Sequence, residues 1–106
     1  RRTETPRPAV LRVGDLEIDT ARRRVRRGGV LLSLGFKEFA VLELLMARAG
    51  QVVSRTTLID HCWDEQTDPL SNVVDAVILQ LRRKLGTPIL IGTVRGAGYL
   101  IDENPE

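Results

Sequence analysis

The sequence predicts an α+β domain in which an antiparallel sheet of three or four strands precedes three helices and a closing β-hairpin. Apolar and polar side chains alternate over 10–34, which indicates the sheet. Apolar side chains then recur at helical spacing in three segments, and two nearby glycines late in the chain indicate a hairpin turn. At 106 residues, the chain has the length of one domain with one modest core.

The first strands are predicted after a short linker. Residues 1–9 contain two prolines and no apolar period, so we interpret them as a linker and place the domain itself at 10–106. LRVGDLEID, at 11–19, alternates as a half-buried strand does, and the alternation continues over 21–34. Gly28 and Gly29 predict a hairpin turn between two short strands.

The next segments predict two helices. FKEFAVLELLMARAG, at 36–50, carries apolar side chains at helical spacing, with Gly35 as N-cap and Gly50 as the C-terminal stop. QVV, immediately after it, predicts a short strand. Ser54 is then expected to cap a second helix, RTTLIDHCW, which is followed by the polar loop DEQTDPL.

A third helix is predicted over 72–85, with Ser71 or Asn72 as its cap and Gly86 as its end. One stripe of this helix should face the core: Val74, Ile78, Leu81 and Leu85. A second face is small and lightly apolar: Val73, Ala76, Gln80 and Arg83. That face suits a DNA major groove, where an amide can pair with an adenine edge. From periodicity alone, an amphipathic helix in an all-helical core, with Gln80 merely solvated, is the simpler interpretation.

Composition and charge exclude several classes of function. The net charge is +2, and nine arginines against four acidic residues lie in 1–34, where we expect most of them to be solvated on the linker and on a strand face. No apolar run is long enough to span a membrane, and the first residues do not resemble a signal peptide. A single cysteine suits a reducing cytosol, so a cytoplasmic location is expected.

Catalysis and metal binding are not predicted. His61 and Cys62 are neighbours on a helix, so their side chains diverge by about 100° and cannot form a nucleophile–base pair. One histidine and one cysteine are too few for a zinc site, and the GAG at 96–98 is not a dinucleotide fingerprint. We therefore expect no cofactor, no metal and no enzymatic activity.

The order of the last elements predicts a winged helix-turn-helix. A short helix, a loop, a third helix and a glycine-cornered hairpin follow one another over 55–102. In that arrangement the tip of the hairpin can place Arg95 in a minor groove beside the major groove that the helix fills. The simpler interpretation of Arg95 is an ordinary exposed arginine in a turn.

Four stretches together resemble a known family: LSLGFKEFAVLELL at 32–45, GQVVSRTTLIDHCW at 50–63, SNVVDAVILQLRRKL at 71–85 and TVRGAGYL at 93–100. In this order and spacing they resemble the DNA-binding effector domain of OmpR/PhoB-type two-component response regulators. The resemblance implies a winged helix-turn-helix with an N-terminal four-stranded antiparallel sheet, three helices and a C-terminal β-hairpin wing. It also implies a phosphorylatable receiver domain before Arg1, with 1–9 as the interdomain linker.

The resemblance further implies a role for individual residues. The third helix would lie in the major groove, with base edges facing Val73, Ala76 and Gln80, and Arg95 would enter the minor groove. The backbone of double-stranded DNA would be contacted by Trp63, Asn72, Arg82, Arg83, Thr93 and Tyr99. The acidic loop with Asp64, Glu65 and Asp68 would meet RNA polymerase, although a plain solvated connection is the simpler interpretation of this loop.

The resemblance implies partners beyond DNA. The chain would bind direct repeats as a tandem homodimer paired through the receiver, which a sensor histidine kinase would phosphorylate, and it would associate with the bacterial nucleoid when bound. Two departures reduce the charge offered to DNA, since Leu79 and Val77 stand where members often carry basic or polar residues. We therefore expect weak binding by the isolated domain.

A second reading keeps the fold and changes the partner. An apolar Leu79 and Val77 can mark a protein contact, so the domain could dock on a protein through its sheet or its third helix. Salt discriminates the two readings, because binding to DNA weakens steeply with ionic strength whereas an apolar contact does not.

Overall fold

The computed structural model describes residues 9–64, 66–68 and 71–105. The predicted α+β architecture is confirmed: a four-stranded antiparallel sheet, three helices and a C-terminal hairpin. In chain order the elements are β1 (Val10–Val13), β2 (Leu16–Asp19), β3 (Arg24–Arg27), β4 (Val30–Leu32), α1 (Phe36–Ala47), α2 (Arg55–Cys62), α3 (Val73–Leu85), β5 (Ile91–Val94) and β6 (Gly98–Ile101). The predicted linker lies outside the described residues, apart from Ala9.

The N-terminal sheet is a meander of neighbouring strands, β1-β2-β3-β4. The segment 11–19, predicted as one strand, is two strands joined by a tight turn at Gly14, whose φ is 57°. The alternation shifts by one residue at this turn, because the apolar positions are 11 and 13 before it and 16 and 18 after it, and the prediction of one strand overlooked that shift. The turn predicted at Gly28 and Gly29 is confirmed, and both glycines have positive φ.

The helices begin and end close to their predicted limits. Gly35 is the N-cap of α1, and its N–H donates to the Glu38 carboxylate at 2.8 Å. The helix ends at Ala47, three residues before the predicted stop at Gly50. Ser54 caps α2 as expected, accepting a hydrogen bond from the Thr57 N–H.

The segment after α1 is a single bridge rather than a strand. Only Val53 of the predicted QVV strand pairs, with Tyr99 of β6. This bridge attaches the C-terminal hairpin to the chain just before α2. It therefore places the wing beside the helix pair α2–α3.

Helix α3 has one buried face and one exposed face. Its predicted core stripe is confirmed, and all four side chains are buried. Asn72 occupies the N-cap position but makes no side-chain cap hydrogen bond, and Gly86 ends the helix with a φ of 76°. Helix α1 packs between the sheet and α3, so the core joins all the layers of the domain.

One of the arginines expected to be solvated is a buried structural residue. Arg27 of β3 is only 9% exposed. Its guanidinium donates to the Asp15 carboxylate at 2.7 Å, to the Leu85 carbonyl at 3.0 Å and to the Pro88 carbonyl at 2.8 Å. The sheet is thereby tied to the C-terminal end of α3. Arg23 also differs from the expected solvated arginine, because its guanidinium lies over the Phe39 ring.

Candidate nucleic-acid interface

The outward face of α3 is open to solvent. Ala76, Gln80 and Arg83 are exposed, as the predicted second face requires. Val73 belongs to the same face but packs partly against the core. The face is therefore small and nearly flat, with one amide and one guanidinium standing on it, which permits close approach to a base edge.

The two residues that depart from the resemblance differ in exposure. Leu79 is 51% exposed, whereas Val77 is half-buried and packs against the core. The expectation that both are surface apolar residues is therefore wrong for Val77, because its side chain turns toward α3's buried stripe. Only Leu79 adds apolar area to the outward face.

The wing presents Arg95 at its tip. Strands β5 and β6 pair in register from Ile91 with Ile101 to Val94 with Gly98, and Arg95 lies in the connecting turn. Its side chain is exposed and has no hydrogen bond or ion pair with any described residue. A guanidinium of this kind is available to a ligand without first breaking an internal contact.

Arg82 joins α3 to the first strand of the wing. Its Nε donates to the Ile91 carbonyl at 3.0 Å, and its Nη2 donates to the Thr93 hydroxyl at 2.7 Å. Two predicted backbone contacts, Arg82 and Thr93, are therefore bonded to each other in the unliganded chain. Arg82 remains half-buried, so part of its guanidinium still faces solvent.

A second junction joins the wing to the other end of α3. The Tyr99 hydroxyl donates to the Asp75 carboxylate, which also accepts from the Arg55 guanidinium at 3.2 Å. Arg55 in turn donates to the Ser71 carbonyl at 2.7 Å, immediately before α3. Tyr99 is only 8% exposed, and sequence reasoning did not detect its internal partner.

This junction shifts the pKa of both its acids. The hydrogen bond from Tyr99 lowers the pKa of Asp75, with a further contribution from Arg55. Burial, together with the bond to the Asp75 carboxylate, raises the pKa of Tyr99 to about 12. The neutral phenol and the charged carboxylate are thus the stable pair at neutral pH.

Tyr99 is the only tyrosine of the chain, so the absorbance of the phenolate band follows its ionisation alone. We expect a phenolate midpoint of about 12 in the native chain and of about 10 in urea. Because the native pKa is raised, the stabilisation is complete below pH 10 and is lost as the pH rises toward 12, by on the order of 2 kcal/mol. Asp75→Asn should lower the native midpoint, and equal native and unfolded midpoints would contradict the junction.

The α2 end of the surface places Trp63 beside a cation that sequence reasoning missed. Trp63 follows α2 as its C-cap residue and is half-buried. Lys37 of α1 lies with its Nζ 5.4 Å from the Trp63 ring centroid and donates to the Cys62 carbonyl at 2.6 Å. No local pattern could have identified Lys37, because it reaches this site from another helix. Asn72 is exposed at the head of α3.

The acidic loop is described only in part. Asp64 accepts from the Gln66 N–H and the Thr67 hydroxyl, which fixes a local turn at the start of the loop. The Asp68 carbonyl accepts from the Ser71 N–H at 3.0 Å. Glu65 lies outside the described residues.

The histidine and the cysteine are separated as expected. His61 is exposed with its Nδ1 2.9 Å from the Thr57 carbonyl, whereas Cys62 is buried and burial raises the pKa of its thiol. Within the ranges that the structure describes, no group of three or more potential metal ligands occurs, and no helix has the length and apolarity needed to cross a membrane.

Comparison with known proteins identifies the domain. Residues 29–101 match the family described as "Transcriptional regulatory protein, C terminal". Over 101 residues the chain is 50% identical to the transcriptional regulatory protein CutR of Streptomyces coelicolor, covering 95% of this chain and 46% of CutR. The chain thus spans about half the length of the curated relatives it matches.

Solved structures agree on the fold. The RstA DNA-binding domain of Klebsiella pneumoniae, in complex with RstA box, superposes with a TM-score of 0.81 at 33% identity, covering 90% of this chain and 98% of RstA's. The response regulator DrrB of Thermotoga maritima, an OmpR/PhoB homolog, superposes with a TM-score of 0.78 at 34% identity, covering 89% of this chain and 44% of DrrB. Each of these three relatives is named as a regulator or as the DNA-binding domain of one. The chain belongs to the C-terminal family of transcriptional regulatory proteins, as the winged-helix DNA-binding domain of an OmpR/PhoB-type response regulator.

Proposed function

We propose that this domain binds double-stranded DNA sequence-specifically, with α3 and its cap, residues 72–85, in the major groove and Arg95 of the wing in the minor groove. The observation that carries the proposal is the free guanidinium of Arg95 beside an exposed, small face of α3. Ala76 and Gln80 stand on that face, and Val73 lies at its N-terminal edge. The similar RstA DNA-binding domain has been solved in complex with RstA box, which supports DNA as the ligand.

The DNA backbone is proposed to lie along the rim of this surface. Trp63, Asn72 and Arg83 are exposed or half-buried there. Arg82 and Thr93 reach the same rim but are bonded to each other, so a phosphate would share or replace their hydrogen bond. A contact from Tyr99 would similarly compete with its bond to Asp75, and this residue is the weakest member of the predicted set.

The wider regulatory role extends the proposal to the rest of the protein. We propose that a receiver domain joined through 1–9 pairs two such chains on direct repeats after phosphorylation by a histidine kinase. The loop that carries Asp64, Glu65 and Asp68 would face RNA polymerase on an activated promoter. Such a regulator acts where the bacterial chromosome lies, in the cytoplasm.

A protein partner is the second candidate, and the exposed Leu79 favours it. Its side chain is 51% exposed on the same face of α3 as Gln80. An apolar residue at this point can seat a partner protein as readily as a thymine methyl group. Salt separates the two candidates, because binding to DNA weakens steeply with ionic strength and an apolar protein contact does not.

The test is selection from a random duplex DNA pool with this chain, at low and at moderate salt. Enrichment of a short motif, repeated about one helical turn apart, would support specific binding to tandem sites. Binding that weakens steeply with salt identifies DNA as the ligand. A pool with no enrichment at either salt concentration would contradict the proposal and favour a protein partner.

Gln80→Ala should relax the selected motif at one base pair. The amide is the one group on the exposed face that can pair bidentately with an adenine, so its loss should cost about 1–3 kcal/mol on the preferred site. Competition between the selected duplex and its single-base variants measures this discrimination. Arg83→Ala is the matched control, because loss of a phosphate contact weakens all sequences about equally and lowers the salt slope by about one. An unchanged motif in Gln80→Ala would remove Gln80 from base recognition.

A further inference from the structure

The wing is hydrogen-bonded to α3 at two positions along the helix axis. Asp75, in the first turn of the helix, accepts from the Tyr99 hydroxyl, and Arg82 donates to the Thr93 hydroxyl. Asp75 and Arg82 are seven residues apart, which is about 10 Å along the axis and nearly the same side of the helix. The described contacts therefore join the wing to α3 at two separate points. We call these two hydrogen bonds, Tyr99 to Asp75 and Arg82 to Thr93, the two ties.

The two ties meet on one cross-strand pair of the hairpin. Thr93 of β5 and Tyr99 of β6 are directly paired in the antiparallel register. One of them is tied to the head of α3 and the other to its second half. Rotation of the hairpin over the helix would lengthen one tie whichever way it turned, so the pair opposes rotation.

The head of α3 is itself held from a second side. Arg55 of α2 donates both to the Asp75 carboxylate and to the Ser71 carbonyl just before the helix. The acceptor of the Tyr99 hydroxyl is therefore fixed in place by another element. Because Asp75 is hydrogen-bonded from two elements, α2 and β6, these contacts favour one position of its carboxylate.

We propose that Asp75, Tyr99, Arg82 and Thr93 are positioning residues that fix the angle between α3 and the wing, and so set the distance between the base pairs facing α3 and the minor groove entered by Arg95. This inference rests on the proposed function, because it assumes that Arg95 enters the minor groove. It assigns Tyr99 an internal role through Asp75 in place of a contact with the DNA backbone. Arg82 has the same positioning role through Thr93, in addition to any contact that it makes with phosphate.

A double-mutant cycle between Tyr99→Phe and Arg95→Ala tests the inference on the selected duplex. In the parent chain, Arg95→Ala should raise the Kd about tenfold or more. In the Tyr99→Phe background, the factor by which Arg95→Ala raises the Kd should be smaller by about threefold or more. The reason is that a wing without this hydrogen bond no longer holds Arg95 at the groove. If Tyr99 instead contacted phosphate directly, the two effects would multiply independently, and that result would overturn the inference.

A second cycle gives the matched control. Gln80→Ala removes an amide from α3 that makes no hydrogen bond to the described residues of the hairpin, so its effect and that of Arg95→Ala should be independent. Thermal unfolding checks that each variant is folded at the assay temperature. If Tyr99→Phe does not fold, Thr93→Val replaces it in the cycle, since this change cuts the other tie without adding volume.

A measurement on the free chain separates this inference from the proposed function. Residual dipolar couplings of the hairpin amides report the orientation and order of the wing relative to α3. We expect Tyr99→Phe to change or average these couplings while the couplings of α1 stay the same. Unchanged couplings would overturn the positioning role even if the chain binds DNA. Changed couplings with no effect of Arg95→Ala on binding would retain the tie but reject the minor-groove role of Arg95.

Discussion

Arg27→Met should lower the free energy of unfolding by about 2–4 kcal/mol, a large part of the total for a domain of this size. The change keeps an apolar stem of similar length and removes every hydrogen bond of the guanidinium. The Leu85 carbonyl then loses the donor of a buried hydrogen bond, the Pro88 carbonyl loses that of a partly buried one, and Asp15 loses its cation. The loss at Asp15 is minor, because that carboxylate is 56% exposed and can be solvated.

Urea denaturation of the variant and the parent measures this difference directly. Arg26→Met is the matched control, since Arg26 is the neighbouring residue on the same strand with an exposed side chain. It should change the free energy of unfolding by no more than about 0.5 kcal/mol. Equal effects of the two changes would mean that the contacts of Arg27 contribute nothing beyond those of a surface arginine.

The contrast between these two arginines shows where sequence reasoning stopped. In ARRRVRR the alternation identifies the faces of β3 correctly, with Val25 buried and Arg24 and Arg26 exposed. Arg27 continues the buried face, but its charge suggested a solvated side chain. Its two carbonyl acceptors lie 58 and 61 positions further along the chain, beyond the reach of any local pattern.

The helices were predictable because each segment combines apolar side chains at helical spacing with a residue that is common at the N-cap position. The buried stripe of α3 follows the 3.6-residue repeat, and Ser54 begins α2 with the hydrogen bond that its type and position predict. The weak point was the single strand predicted over 11–19. The apolar repeat of two shifts by one residue between Val13 and Leu16, which is the signal of the turn at Gly14 that the prediction overlooked, and the pairing of these two residues confirms the turn.

The candidate site was predictable in its location and not in its internal bonds. The sequence motif around Arg95 identified the wing, and the outward face of α3 followed from the core stripe. The ties of Tyr99 to Asp75 and of Arg82 to Thr93 depend on how the hairpin packs on the helix. Residues that a motif predicts to contact DNA can thus already have a hydrogen-bond partner within the domain.

Gly98→Ala should have a larger effect than Arg27→Met, with a loss of about 3–5 kcal/mol and a matching loss of DNA binding. A Cβ at this position would lie 2.1 Å from the Val53 carbonyl oxygen and 2.8 Å from the Ser54 Cα. Both neighbours are backbone atoms, so no rotamer change can relieve the contact. The φ of 145° adds backbone strain for any residue other than glycine.

Gly96→Ala separates the steric effect from the conformational one. Gly96 has a φ of 78°, and nothing lies within 4 Å of an added Cβ, so the change should cost only about 1–2 kcal/mol. Thermal unfolding and DNA binding of both variants test the comparison. If the two substitutions cost the same, the close approach at Gly98 does not limit stability. A larger loss for Gly98→Ala would show that the wing is held by its bridge to Val53 as well as by its two ties to α3. Since Ser54 begins α2, displacing that bridge would move the helix that carries Arg55, and with it the junction that fixes the head of α3.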